Sequence, residues 1–312
     1  MKILVPATLA PDLQARPDDV VVPYDGDAPI ADEHTDADVL VVWAAPPPFL
    51  QDAAQRLGAL RLVQTLAAGP DAVLAAGFAP SVTVANGRGL HDGPVAEHTL
   101  ALLLAAVRRL DRLGAAQREH RWDSALGHEQ AGPDAPHYTL DGARVTVWGF
   151  GSIAARLAPV LALLGAEVTG VARSAGARDG VRVVTETDLP ALLPATDVLI
   201  SLLPATPRTR HALDAARLAL LPAHAVLVNV GRGSTVDEAA LVDALRAGRL
   251  GAAALDVTDT EPLRDGSPLW DAPRTIITPH VAGGRPQGAS ALVEAQVEAL
   301  HAGTPLRNVV ER

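Results

Sequence analysis

The sequence predicts two α/β domains, each built on a parallel β-sheet. Three observations lead there. The chain has 312 residues, about two domains at roughly 150 residues each. Short β-branched apolar runs recur along it, and Ala/Leu-rich or loop stretches separate them. Apolar strands alternating with helices form a sheet that is covered on both faces.

The first series of runs is Ile3–Val5, Val20–Val22, Val39–Val42, Leu60–Val63 and Val82–Val84. It predicts a small α/β unit over residues 1–88. Pro94 then opens a helix that is expected to reach Leu113, since proline suits the first helical position. Its apolar positions fit a core or subunit-interface helix. Residues 118–140 are polar and rich in Gly, Pro and His, and read as loop. The second series is Arg144–Trp148, Glu167–Val171, Val181–Val184, Val198–Leu202, Ala225–Val230, Ala252–Val257 and Thr275–Thr278. Its rhythm is that of a doubly wound sheet. A last helix is expected at Gln287–Ala302, followed by Pro305–Val310. No repeat or low-complexity tract interrupts this order.

Composition narrows the function classes. There is no cysteine, which excludes a disulfide scaffold, a thiolate metal site and a cysteine nucleophile. It fits a reducing cytoplasm, the expected location. The formal net charge is −10, and no Lys/Arg cluster offsets it, so nucleic acid and anionic lipid are not expected partners. Pro11 and Asp12 cut short the apolar start Met1–Pro6, which argues against a signal peptide. No run approaches the roughly 18 apolar residues of a membrane span. No metal site is expected.

The first motif is Gly149-Phe150-Gly151-Ser152-Ile153-Ala154, which follows the run Val145–Trp148 and opens a helix. It has the form G-x-G-x-x-G/A. Gly149 allows the tight turn, and Gly151 lets the backbone approach a pyrophosphate at the helix N-terminus. Alone it could be a glycine-rich turn; its strand–turn–helix setting favours dinucleotide binding. After the next strand comes Ala172-Arg173-Ser174, where an acidic residue would bind a ribose 2′-hydroxyl. Arg173 and Ser174 suit a 2′-phosphate better. NAD and NADP both stay open, with NADP(H) favoured.

Three segments bear on catalysis: Val228-Asn229-Val230-Gly231-Arg232-Gly233 with Val236-Asp237-Glu238, Leu255-Asp256-Val257 with Glu261-Pro262-Leu263, and Thr278-Pro279-His280-Val281-Ala282-Gly283-Gly284. Taken singly, Arg232 reads as a surface arginine, Glu261 as a loop charge and His280 as a core histidine. Together they lie at strand ends of one sheet that also carries a nucleotide turn. An arginine there offers a planar fork to a carboxylate.

On these segments the chain resembles the D-isomer-specific 2-hydroxyacid dehydrogenases, among them D-lactate, glycerate and phosphoglycerate dehydrogenases and glyoxylate/hydroxypyruvate reductases. Ala67-Ala68-Gly69-Pro70-Asp71, Val95-Ala96-Glu97-His98 and Leu203-Pro204-Ala205-Thr206-Pro207 extend the resemblance over nearly the whole chain. It implies two Rossmann-like or flavodoxin-like domains. A cofactor domain at 89–284 would be inserted into a substrate domain made of 1–88 and 285–312. It implies an NAD(P)-dependent oxidoreductase, a homodimer through the cofactor domain, and a small 2-keto or 2-hydroxy acid as substrate. Arg232 and backbone groups at Ala68 and Gly69 would bind the substrate carboxylate. His280 would exchange the proton and Glu261 would stabilise its imidazolium. Domain closure would exclude water. Gly149, Phe150, Gly151, Ser152, Ile153, Arg173, Ser174, Pro204, Thr209, Val230, Asp256 and Gly283 are the cofactor-contact candidates. Trp43, Phe49, Leu90 and His91 are pocket candidates.

Two departures matter. Formate dehydrogenases carry Gln beside the catalytic His, so Glu261 argues against that activity, while phosphite oxidation stays open. The C-terminal-binding-protein corepressors keep the triad yet act as dinucleotide-sensing scaffolds. The acidic charge and the lack of a long disordered tail favour an enzyme over that role.

Overall fold

A computed structural model describes residues 1–8, 13–132 and 138–311. Pro11 and Asp12 lie outside the described residues, as does the 133–137 part of the expected loop. The chain forms two compact units, Met1–His91 with Arg285–Arg312, and Asp92–Gly284.

The first unit holds a five-stranded parallel sheet: β1 (Lys2–Pro6), β2 (Val20–Tyr24), β3 (Val39–Val42), β4 (Leu62–Thr65) and β5 (Thr83–Ala85). Its order, β2-β1-β3-β4-β5, is flavodoxin-like. One face packs on Phe49, Leu50 and Ala53 of the helix Pro47–Arg56. The other meets Leu292, Val293 and Val297 of the helix Ala289–Ala302. β4 runs two residues past the expected Leu60–Val63 because Gln64 is buried within it. Gln64 is satisfied by Gln296, whose amide donates to Gln64 Oε1 at 2.7 Å. Gln296 also receives Arg307 N–H at 2.9 Å, which fastens the C-terminal segment to this unit.

The second unit holds eight strands: β6 (Arg144–Trp148), β7 (Glu167–Val171), β8 (Gly176–Arg178), β9 (Val181–Val184), β10 (Val198–Ser201), β11 (Val226–Asn229), β12 (Ala252–Leu255) and β13 (Thr275–Ile277). Their order is β13-β12-β11-β10-β6-β7-β9-β8, a Rossmann-like arrangement that switches direction between β6 and β10. All pairs are parallel except β8 with β9. Two apolar clusters cover the two faces.

Two expectations need correction here. The helix expected from Pro94 to Leu113 runs from Asp92 to Val107, with Pro94 inside its first turn. Arg109 then adopts φ 54°, and a second helix follows at Leu110–Arg118. The expected loop at 118–140 contains the helix Ser124–Ala131. Arg112 holds that helix through Asp123 and Glu129, each 2.7 Å away. This is a pairing that composition does not reveal. No helix among the described residues is long and apolar enough to cross a membrane.

The hydrogen bonds from Arg112, aided by Arg121, hold the Asp123 carboxyl down at about 2. A depressed carboxylate stabilises the fold above its unfolded value of about 3.9 and loses that contribution as the pH falls through about 2. Arg112→Met is therefore expected to lower the urea midpoint modestly at pH 7. The gap to wild type should close as the pH approaches 2. An undiminished gap in acid would show that the arginine acts through packing instead.

Candidate active site

β6 delivers the chain to Gly149, where φ is 103°. A Cβ there would lie 2.8 Å from the Leu202 carbonyl, so glycine is needed for both conformation and space. Phe150 is buried, and its ring fills the place that a side chain at Gly170 would occupy. Gly151 caps the helix Ser152–Leu163 in extended conformation. Nothing lies within 4 Å of where its Cβ would be. Ala154, in the motif's last place, is fully buried and lets the helix close on the sheet. The space in front of Gly151, facing the first N–H groups of Ser152 and Ile153, fits a dinucleotide pyrophosphate.

The other cofactor candidates spread along the same sheet. Arg173 and Ser174 follow β7 and are exposed. Pro204 and Thr209 follow β10, where Thr209 Oγ1 donates to the Pro204 carbonyl at 2.6 Å. Val230 is buried just past β11, its N–H on the Ser201 carbonyl at 3.2 Å. Gly283 lies in the His280 segment, three residues after His280. Ala68 and Gly69 belong to the other unit, in the segment between β4 and the helix Asp71–Ala75.

Arg232, Glu261 and His280 follow β11, β12 and β13, three neighbouring strands. The Arg232 backbone is locked: its carbonyl accepts from Thr235 Oγ1 at 2.6 Å and from Asn229 Nδ2 at 3.2 Å. Its guanidinium donates to the Gly231 carbonyl at 2.8 Å. A Cβ on Gly233 would overlap the Thr258 carbonyl, so that glycine is what lets the Arg232 loop sit against the Glu261 loop. Glu261 Oε1 accepts Thr258 N–H at 3.0 Å, and Oε2 lies 2.6 Å from His280 Nδ1. The carboxylate thus assigns the proton on Nδ1 and leaves Nε2 to exchange one. Both side chains are partly exposed, as a group that meets a ligand must be.

His280 sits at φ 53°, a conformation that costs a β-carbon residue about 1–3 kcal/mol. Asp256 offsets that cost. It is 1% exposed and its carbonyl accepts His280 N–H at 2.8 Å. Its carboxylate accepts Thr278 Oγ1 at 2.6 Å and the Val281 and Ala282 N–H groups at 3.0 Å. His98 Nε2 lies 3.0 Å from Thr278 Oγ1 and 3.3 Å from Asp256. Since the single Thr278 proton is committed to Asp256, His98 Nε2 must be the donor.

His98 and Thr278 were quoted in the sequence segments but given no role there. Glu238 is a further support: Oε1 accepts Asp259 N–H at 2.6 Å, and burial followed by the nearby Asp259 charge raises its carboxyl above the ordinary range. Among the pocket candidates, Phe49 is a core residue stacked on Tyr24 at 4.8 Å. Leu90 is also buried. Trp43 stacks on His91 at 5.3 Å, and His91 Nε2 meets the Leu66 carbonyl at 2.9 Å.

Residues 100–282 match the family model described as D-isomer specific 2-hydroxyacid dehydrogenase, NAD binding domain. The chain belongs to that family. It is an NAD(P)-dependent oxidoreductase of 2-hydroxy acids. A glycerate dehydrogenase of Methylorubrum extorquens is 34% identical over 270 residues, covering 85% of this dehydrogenase and 83% of the relative. The NADPH-dependent glyoxylate/hydroxypyruvate reductase of Sinorhizobium meliloti, solved with NADP and sulfate, superposes with a TM-score of 0.82 at 30% identity. That match covers 99% of this chain and 98% of the reductase. A D-isomer specific 2-hydroxyacid dehydrogenase of Xanthobacter autotrophicus, solved with NADPH and MES, gives 0.81 at 32% identity, covering 99% and 97%.

Gly233→Ala is expected to push the Thr258–Glu261 loop off His280. Turnover should fall at least tenfold while the far-ultraviolet circular dichroism of the variant stays native. Normal turnover would mean that the two loops are not coupled through this glycine.

Proposed function

We propose that this dehydrogenase reduces the C2 carbonyl of a small 2-keto acid with NADPH, and that Arg232, Glu261 and His280 carry out the protein's part. The observation behind this is the Glu261–His280 pair at 2.6 Å, one strand away from an arginine and on the same sheet as a nucleotide turn. When bound, the nicotinamide supplies the hydride that reaches C2. Arg232 pairs with the substrate carboxylate and draws electron density toward the carbonyl oxygen. Backbone N–H groups at Ala68 and Gly69 are proposed as further donors to a carboxylate. His280 Nε2 gives its proton to that oxygen as the C–H bond forms, so the carbonyl becomes an alcohol. Glu261 steadies the imidazolium before transfer and the ring orientation after it. In oxidation the same nitrogen takes the hydroxyl proton.

Gly149, Phe150, Gly151, Ser152 and Ile153 would hold the pyrophosphate, and Arg173 and Ser174 a 2′-phosphate. Pro204, Thr209, Val230, Asp256 and Gly283 would flank the rest of the dinucleotide. NADPH is favoured because Ala172 stands where an acid would serve NAD, and because two similar structures hold NADPH or NADP. Glyoxylate or hydroxypyruvate is the proposed substrate class, after the Sinorhizobium reductase. A homodimer through the nucleotide-binding unit belongs to the same reading; Leu110 and Trp122 are exposed on that unit at 52% and 93%. Light scattering tests it.

Initial rates with glyoxylate, hydroxypyruvate, pyruvate and phenylpyruvate should show turnover of a small acid and a preference for NADPH over NADH. Absence of turnover with every acid, despite tight dinucleotide binding, would count against the enzymatic reading. His280→Asn should lower turnover by about 10²–10⁴-fold with cofactor affinity retained. Near-normal turnover in that variant would remove His280 from the proton path.

A further inference from the structure

The strand β8 is short, exposed and polar, and it turns back on β9 through Asp179 and Gly180. Both turn residues have positive φ, 51° and 81°, and Arg178 pairs with Val181 across them. This is the geometry of a two-residue hairpin whose twist suits its strands. The hairpin carries the Arg178 side chain back to the nucleotide turn. Nη1 donates to the Phe150 carbonyl at 2.9 Å. Nη2 donates to Ser174 Oγ at 2.8 Å and to the Ser174 carbonyl at 3.1 Å. One guanidinium therefore ties the glycine turn to the segment after β7.

The charge around it is locally positive. Arg112, Arg144 and Arg217 are each neutralised by carboxylates. Among the described residues, Arg173 and Arg178 form no ion pair. Between Ala172 and Thr185 the only acid is Asp179, against Arg173, Arg178 and Arg182. In a molecule of net charge −10, two guanidiniums without a carboxylate beside a nucleotide turn make a local anion-attracting field. Ser174 Oγ accepts from Arg178, so its own proton is left to donate outward.

We infer that Arg178 is a specificity-determining residue, forming with Arg173 and Ser174 the subsite for a phosphate monoester on the adenosine ribose. The inference rests on the NADPH reading above and adds a residue to it. Arg178 acts in two ways: it contributes a permanent cation, and it fixes the Ser174 hydroxyl at a set distance from the turn that holds the pyrophosphate.

The test compares wild type with Arg178→Gln and Arg178→Lys. The steady-state kcat/KM is measured with NADPH and with NADH, and binding of adenosine 2′,5′-bisphosphate and of AMP by calorimetry. In the wild type the bisphosphate should bind at least tenfold tighter than AMP. In Arg178→Gln the ratio of kcat/KM for NADPH over NADH should fall about tenfold or more, the loss of one charge-assisted contact. The bisphosphate's advantage over AMP should shrink in parallel. Arg178→Lys keeps the cation and should retain part of both. If the Gln variant does not fold, the Lys variant and the wild-type calorimetry still decide the matter. A rise in both Michaelis constants with an unchanged ratio would make Arg178 a support of the turn and overturn the inference alone. A wild type that prefers NADH and binds AMP as tightly as the bisphosphate would overturn the NADPH reading as well.

Discussion

The buried Asp256 carboxylate organises the end of the sheet that carries Glu261 and His280. It lies just past β12 and gathers one hydroxyl and two backbone N–H groups from the segment after β13. A buried carboxylate is costly unless each oxygen is paired, so this set of bonds has little freedom to rearrange. The segment it closes includes His280, whose left-handed backbone would otherwise relax. The same closure brings the imidazole to Glu261 and draws in His98 from the helix Asp92–Val107. The position of Nε2 therefore depends on the hydrogen bonds among Asp256, Thr278 and His98 beneath it.

Close backbone approach is the second constraint. Arg232 and Glu261 arise from different strands, and their loops meet because Gly233 leaves room for the Thr258 carbonyl. At the opposite side of the switch point, Gly149 makes room for the Leu202 carbonyl and Gly170 for the Phe150 ring. Each contact would be lost to a single methyl group. The glycines thus couple functional loops that sequence separation alone would leave independent.

Much of this fold was legible in the sequence, and the places where it was not share a cause. The strands β3, β6, β7 and β9 have the expected limits, because their β-branched runs lie wholly within the strands. β4 was misread because the continuing strand residue is Gln64, held in the core by Gln296, 232 residues away, and by the Thr65 and Asn86 carbonyls. The helix Ser124–Ala131 was missed because Arg112 supplies its anchor. β8 has no apolar run to mark it, and its sequence signal is the Asp179-Gly180 hairpin turn alone. In the site, the types and spacing of Arg232, Glu261 and His280 could be read because their segments follow strands. His98 was opaque: its partner Thr278 is 180 residues away, and a histidine in an apolar helix does not announce a partner.

Charge explains how an acidic protein can take two anionic ligands. The chain's excess of carboxylates sets a field that opposes a dinucleotide and a keto acid alike. At long range salt screens much of this, with a Debye length of about 8 Å at physiological ionic strength. On the proposed reading, what a ligand meets at short range is local: N–H groups before the helix Ser152–Leu163, guanidiniums at Arg173 and Arg178, and the fork of Arg232. The acids that come close to the reacting groups are committed elsewhere, Asp256 to its loop and Glu261 to His280. Their negative charge is directed into these hydrogen bonds.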